Sequence, residues 1–276
     1  MKYDLLEPYK EYLNTIYGKN TARKYYSSVV KLFRDKQFND LAEIDLDFIK
    51  TELPERFKTR NEFSAAKNGL IHLKELYPAL PLPDEEYFHC VSMKKRNRSK
   101  KPKKYLYLDP IRRTVNQIDN PKLKYAYRLA LISGLRVSEL GALKASDLHF
   151  NDSDGKIIHV DVKHGKGGSN GCVECLPDAY LYEHLQKFTK EHPEGNLFYS
   201  EAHMRKEADR LHLECHDFRR IFSQQLCSKL KAERDLEQKE INAAVQERMR
   251  HKRFSTTKRY LYNRKLCIKP QRSNTT

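Results

Sequence analysis

The stretch from residue 93 to 104, MKKRNRSKKPKK, holds eight Lys or Arg in twelve residues, with one proline and no acid. Like charges at that density cannot be buried together, so the run reads as a connector, solvated or laid along a polyanion. It divides the chain, because any hydrophobic core must form on one side of it or the other. Before it, residues 5–76 show helical spacing and no strand pattern. Tyr25, Val29, Leu32 and Phe33 share a helical face, and Phe63, Leu70, Leu73 and Leu76 repeat the arrangement until Pro78, Pro81 and Pro83 end it. The expected organisation is a helical domain over 1–90, a basic linker over 91–104, a second domain over 105–266 and a tail at 267–276. The tail has few apolar residues and is expected to need a partner for order.

The second domain has a mixed pattern. Residues 123–143 are helical with a break at Gly134. Residues 156–163, KIIHVDVK, alternate Ile158, Val160 and Val162 against His159, Asp161 and Lys163, the period of a half-buried strand. The loop HGKGGSNG and an extended pattern over 172–176 complete a hairpin with a lysine at its Gly-rich tip, and helical spacing resumes from 179. The fold class is therefore mainly α with a small antiparallel β-hairpin or sheet. A net charge of +16, from 53 basic and 37 acidic residues, calls for a polyanionic partner, nucleic acid first. No run approaches the roughly 18 apolar residues of a membrane span, and the first residues lack a signal-peptide core. Six scattered cysteines make no disulfide framework, so a reducing intracellular compartment is expected.

Four local patterns carry chemistry. In SGLRVSEL, Gly134 can end a helix and place Arg136 at the start of the next, where a guanidinium offers paired donors to a phosphate; a simple Arg136–Glu139 pair is the ordinary alternative. Lys166 in GKGG is not a P-loop lysine, because Val160 and Gly167 stand where Gly and Ser or Thr are required. In HDFRRIF, His216 and Arg219 share a helical face and Phe218 and Phe222 anchor the other side, although a histidine near a helix start also serves as a cap. Finally, His251 precedes Tyr260 by nine residues through KRFSTTKR, with Ser255 or Thr256 as a cap for a short helix bearing Tyr260. Cys172 and Cys175 form a CxxC, but no second ligand pair stands at matching spacing, so no metal is expected.

In this order and spacing the four patterns resemble the tyrosine recombinase (phage integrase) family, most specifically over residues 105–262. KNTARKYYSSVVKLF is similar to that family's N-terminal core-binding domain. The resemblance implies a helical core-binding domain followed by an α+β catalytic domain of tyrosine-recombinase type. It assigns Arg136, Lys166, His216, Arg219, His251 and Tyr260 to catalysis and Glu139 to a supporting role. Two departures stand out. The family usually has Leu-Gly before the second histidine, where this chain has Met249-Arg250, and the hairpin is longer, which leaves Lys163 as a rival to Lys166. Tyr262 rivals Tyr260, although residues two apart on a helix point in different directions.

What the resemblance implies is a site-specific DNA recombinase that cuts and rejoins strands through a 3′-phosphotyrosine, without metal, cofactor or ATP. The arginines would neutralise phosphate charge, His216 would take the tyrosine proton, Lys166 would protonate the leaving 5′-oxygen, and His251 would hydrogen-bond the phosphate. The implied partners are double-stranded DNA with inverted-repeat core sites and a homotetramer on two duplexes, with the C-terminal tail packed on a neighbouring protomer. Lys94, Lys95, Arg96, Arg98, Lys100, Lys101, Lys103 and Lys104 would strap the phosphate backbone. A type IB topoisomerase-like enzyme and an inactive DNA-binding scaffold are the alternatives.

Overall fold

Side-chain caps mark out the helices of the N-terminal part of the chain. The computed structural model describes residues 3–34, 36, 40–95, 105–163, 165, 170–233 and 236–267, and the chain divides into two compact units, Met1–Lys101 and Pro102–Thr276. The first unit contains α1 (Glu7–Ile16), α2 (Lys19–Phe33), α3 (Leu46–Arg56), α4 (Arg60–Leu76) and α5 (Glu85–Lys94). Asp45 caps α3, Thr59 and Glu62 form a capping box on α4, and Asp84 caps α5. Val29, Leu32 and Phe33 of α2 and Phe63, Leu70 and Leu73 of α4 are buried in one core, as their spacing requires. Gly69 permits the close approach of α4 to α2. A Cβ there would lie 3.0 Å from both the Tyr25 carbonyl oxygen and Val29 Cγ2, and the Gly69 carbonyl itself accepts the Tyr9 hydroxyl at 2.7 Å.

The basic stretch begins later than its composition suggests. α5 continues through Lys94, so residues 91–94 are helical and not linker. Phe88 and Val91 hold one face of α5 on the core, and Lys94 is a good helix former that leaves its charge in water. Lys95 is folded back: its ammonium donates to the Pro54 carbonyl and lies 5.9 Å from the centre of the Phe63 ring. In this arrangement Lys95 is spent on its own unit. Arg96, Arg98, Lys100, Lys101, Lys103 and Lys104 lie outside the described residues.

The second unit contains β1 (Tyr105–Tyr107), α6 (Leu108–Asn116), α7 (Pro121–Ser133), α8 (Val137–Ala142), β2 (Leu148–Phe150), β3 (Ile157–Val162), β4 (Gly171–Glu174), α9 (Ala179–Glu191), α10 (Glu201–Arg210), α11 (Cys215–Glu233), α12 (Gln238–Arg248), α13 (Phe254–Tyr262) and β5 (Lys265–Cys267). α7 is buried along most of its length and packs on α11, with the Tyr127 and Phe218 rings 5.1 Å apart. Gly134 ends α7 at φ +62°, a left-handed conformation suited to glycine. A Cβ there would stand 2.3 Å from the Phe222 ring.

β2, β3 and β4 form an antiparallel sheet with β3 in the centre. The expected alternation holds for Val160 and Val162, which are buried, against His159 and Asp161. It fails at Ile158, which is 52% exposed while Ile157 is buried. The β2–β3 register shifts between His149 and Phe150, and this bulge turns Ile157 inward and Ile158 out. The parallel pair β1–β5 has no counterpart in the sequence pattern. It places Lys265–Cys267 on the chain's own unit, so Cys267, expected in a tail exchanged with a neighbour, lies in a strand paired within the same chain. Residues 268–276 lie outside the described residues. No helix among the described residues is long and apolar enough to cross a membrane.

Candidate active site

The turn after α7 delivers the first site residue. Gly134 reverses the chain, Arg136 becomes the N-cap of α8, and Glu139 sits in that helix's first turn. The Glu139 carboxylate is 3% exposed and accepts from the Arg136 backbone N–H and guanidinium, both at 2.7 Å. A second guanidinium, that of Arg250, reaches the same carboxylate at 2.6 Å. Burial alone would raise the Glu139 carboxyl. The Arg250 charge and the hydrogen bonds from Arg136 outweigh it and hold the group below its ordinary value. The local pair and the functional placement expected for Arg136 thus coexist.

α11 supplies Arg219, the largest fully buried side chain, at 2% exposure. It donates to the Gly134 carbonyl, which ties it to the turn carrying Arg136, and to the Met249 carbonyl at 3.1 Å. Burial first, then the charge of Arg136, pushes its pKa down to about 10, so it stays charged at neutral pH. Its Nη2 also lies 3.3 Å from His251 Nε2. A guanidinium can only donate, so Nε2 accepts and the Nδ1 proton is given to Thr257 Oγ1 at 3.0 Å. Burial, then the charges of Arg219, Arg136 and Arg250, pushes His251 down to about 4, so the ring is neutral at pH 7.

α13 begins at Phe254 with Arg253 as its N-cap. Ser255 and Thr256 are therefore inside its first turn and do not cap it. Thr257 is the hydroxyl that is used, completely buried against His251. The Tyr260 hydroxyl lies 3.4 Å from His216 Nδ1, with the Arg219 and Arg220 guanidinium carbons 5.8 and 5.9 Å from its ring centre. His216 is held below its ordinary pKa, first by desolvation against the protein and then by Arg220, Arg205 and Arg219. A neutral imidazole beside a phenol is a proton acceptor. Tyr262 is 53% exposed and donates to Asn242 Oδ1 at 3.2 Å.

The structure therefore brings together Arg136, Glu139, His216, Arg219, His251 and Tyr260. Lys166 lies outside the described residues, and its rival Lys163 is paired with Asp147 at 2.5 Å. Three residues escape sequence reasoning. Arg250 stands at φ +53°, a left-handed conformation rare for anything but glycine, at the position where Leu-Gly was expected. Gln224 on α11 donates to the carbonyls of Tyr260 at 3.0 Å and Arg264 at 2.7 Å and accepts from the Leu266 N–H at 2.8 Å, clamping the end of α13 and β5. Arg264 fixes the same segment through Asp217 at 2.7 and 2.8 Å. The departure at Arg250 was visible as a letter; nothing in the sequence marked Gln224.

The guanidinium cluster is unfinished in hydrogen-bond terms. Arg219 Nε and Arg250 Nε and Nη1 are buried and have no hydrogen-bond partner among the described residues. Buried donors without partners are costly, and an oxyanion is the ligand that would satisfy them.

A family model described as the phage integrase family matches residues 104–266. A search of curated proteins finds no match. Among solved structures, the chain is similar to a lambda integrase tetramer bound to a Holliday junction (TM-score 0.65, 16% identity, covering 95% of this chain and 77% of that one). It is also similar to a lambda integrase dimer bound to a COC′ core site (TM-score 0.63, 17% identity, 94% of each chain), and to the XerH site-specific recombinase bound to its difH substrate after cleavage (TM-score 0.56, 19% identity, 87% and 74%). At these identities the likeness is one of fold. The family follows from the match over residues 104–266, more than half of the sequence: the chain belongs to the phage integrase family.

Proposed function

We propose that this chain is a site-specific DNA recombinase that cuts one strand by attack of the Tyr260 hydroxyl on a phosphodiester and rejoins it through a 3′-phosphotyrosine, without metal or ATP. The observation that carries the reading is the setting of Tyr260: its hydroxyl is 3.4 Å from a histidine held neutral, and its ring is flanked by two guanidinium groups. A phenol with a pKa near 10 is a weak nucleophile at neutral pH, and His216 is placed to take its proton as the oxygen attacks. Arg136 and Arg219 neutralise the non-bridging oxygens, whose charge grows in the transition state. The unpaired buried donors of Arg219 and Arg250 support an oxyanion at that place.

His251 reaches the phosphate in its other tautomer: once Arg219 turns to the phosphate, the ring proton moves to Nε2 and donates to the oxyanion, while Thr257 Oγ1 donates to Nδ1. Glu139 does not react; it holds Arg136 against α8 and keeps Arg250 in reach. Lys166 is the general acid for the leaving 5′-oxygen, with Lys163 occupied by Asp147. The bond energy kept in the phosphotyrosine lets a second 5′-hydroxyl reverse the step onto another strand. The substrate is double-stranded DNA with inverted-repeat core sites inside the cell, and the working form is a tetramer on two duplexes; the similar lambda integrase is a tetramer on a Holliday junction, which supports the tetramer. The helical unit and the basic residues from Arg96 through Lys104 contribute phosphate contacts to the same duplex.

Incubation with a nicked suicide substrate tests the assignment. Wild type and Tyr262→Phe should form a covalent protein–DNA adduct, and Tyr260→Phe should bind DNA without forming one. An adduct that survives in Tyr260→Phe overturns the nucleophile. The absence of any adduct with wild type on its own element's core site favours an inactive DNA-binding scaffold.

A further inference from the structure

The open face of the β2–β3–β4 sheet gathers metal-ligating side chains that the recombination chemistry does not use. His149 on β2 is directly opposite His159 on β3, and their rings stack at 4.1 Å between centres. Asp161, two residues along β3, projects from the same face. His149 Nε2 lies 2.9 Å from one Asp161 oxygen and His159 Nε2 lies 3.9 Å from the other, and the three ligand atoms are within 4.8 Å of one another. Tetrahedral zinc, with bonds of about 2.0–2.2 Å, sets its ligands about 3.3–3.6 Å apart. Within that 4.8 Å cluster the two imidazoles, now stacked at 23° between planes, have to turn out of the stack to aim both lone pairs at one ion. All three groups are partly exposed, so an ion can enter from solvent.

A fourth donor lies on the neighbouring strand, outside that 4.8 Å cluster. Cys172 on β4 is directly opposite Asp161, and its thiol is free and exposed. Burial and, after it, the nearby Asp161 charge hold that thiol above its ordinary value; a metal ion would reverse the second effect. Glu174, opposite His159, is already paired with Arg248 at 2.5 Å and is not offered as a ligand. The CxxC is split, since burial raises Cys175 to about 12, an inert thiol on the inner side of the strand end.

We propose that His149, His159, Asp161 and Cys172 form a zinc-binding site on the open face of this sheet. Two imidazoles, one carboxylate and one thiolate are a donor set for a borderline cation such as Zn²⁺. Binding through His149 Nε2 would move that ring's proton to Nδ1 and release the Cys172 thiol proton, and would pin all three strands together, β2 and β4 both to the central β3. β3 and β4 are the strands on either side of the sequence segment that contains Lys166. The site uses no residue of the arginine cluster, so it can exist whether or not the chain recombines DNA.

Titration of the full chain, freed of metal with a chelator, with Zn²⁺ and separately with Co²⁺ tests the site. One ion should bind per chain at micromolar or lower concentration, with proton release and with Co²⁺ absorption bands of tetrahedral intensity. The His149→Gln/His159→Gln double variant should lose affinity at least tenfold, while Cys175→Ser should bind as wild type. Cys172→Ser should lose the near-ultraviolet sulfur-to-cobalt band. Circular dichroism establishes that each variant is folded, which the partial exposure of these side chains favours. Unchanged affinity in the double variant, loss of binding in Cys175→Ser, or no binding by wild type overturns the proposal, and a sulfur band that persists in Cys172→Ser removes the fourth ligand.

Discussion

Replacing Arg250 by glycine and by alanine should reverse the usual ranking of those two residues. Arg250 does two opposing things. Its guanidinium compensates the buried Glu139 carboxylate at 2.6 Å, while its backbone stands at φ +53°. Removing one partner of a buried ion pair costs about 3–5 kcal/mol when the other is left alone. Here Glu139 keeps two hydrogen bonds from Arg136, so roughly half that cost, about 2 kcal/mol, is expected. The left-handed backbone costs a non-glycine residue about 1–3 kcal/mol. Arg250→Ala loses the pair and keeps the strain, and should be destabilised by about 2 kcal/mol. Arg250→Gly loses the pair and the strain together, and should lie within about 1 kcal/mol of wild type. For a unit of this size a gap of 1 kcal/mol is about 2–4 °C in Tm. Thermal unfolding of the full chain, followed through the transition of the catalytic unit, measures it. If alanine equals or exceeds glycine, the left-handed strain is not what opposes the ion pair. A double cycle with Glu139→Gln isolates the pair itself, with a coupling of about 0.5–3 kcal/mol expected.

His251 titrates near 4 when folded against 6.5 in its ordinary state, so its contribution to stability is present above pH 6.5 and is lost as pH falls towards 4, by about 3 kcal/mol in all. Urea titrations across that window should show the loss in wild type and much less of it in His251→Gln; parallel curves would refute it. Gly134→Ala, whose new methyl would meet the Phe222 ring at 2.3 Å, should cost at least about 2 kcal/mol and abolish cleavage by displacing Arg136. A folded, active variant would show that the turn has room. Lys166→Ala should cleave an ordinary phosphodiester very slowly but a 5′-bridging phosphorothiolate nearly as fast as wild type, because sulfur leaves without a proton. Absence of rescue removes Lys166 as the acid. Changing Lys100, Lys101, Lys103 and Lys104 to Gln should flatten the slope of log affinity against log salt by up to about 3–4 while leaving specificity unchanged. An unchanged slope would show that the run does not touch phosphate.

Local chemistry and local periodicity were legible in the letters. Gly134 had to end a helix, the 3.6-residue spacing of Val29, Leu32 and Phe33 had to bury one face, and the motif residues around Arg136, His216 and Tyr260 announced their separation along the chain. What stayed hidden depends on partners distant in sequence. β1 and β5 are three residues each and pair across most of the catalytic unit, so neither has a turn or an alternation to betray it. The inward face of Ile157 comes from a register shift against β2, which period-two counting along one strand cannot see. α13 starts one residue before Ser255, with Arg253 as its N-cap and no side-chain cap bond, and the hydroxyl that is used is that of Thr257, turned inward to His251, which lies in the loop before the helix. Gln224 is one of many glutamines until α13 and β5 arrive beside it.

The letter at position 250 shows how a departure from a family pattern can be read physically. A glycine before the second histidine gives the chain a left-handed turn at little cost. Arginine at the same place adopts the same turn, at φ +53°, and so keeps His251 where Arg219 and Thr257 meet it. What it adds is a guanidinium, in a cluster already holding Arg136 and Arg219 against the single carboxylate of Glu139. Three cations and one anion leave an excess of positive charge in a buried place, and its effect is visible in the groups nearby. Arg219 is depressed by Arg136, and His251 by Arg219, Arg136 and Arg250, each after burial itself. A site intended only for structure would balance its charges or use apolar contacts, since unmatched buried charge is destabilising. An excess that survives folding is matched by something that arrives later. The phosphodiester of the proposed substrate brings the negative charge and the acceptor oxygens that Arg219 Nε and Arg250 Nε and Nη1 lack.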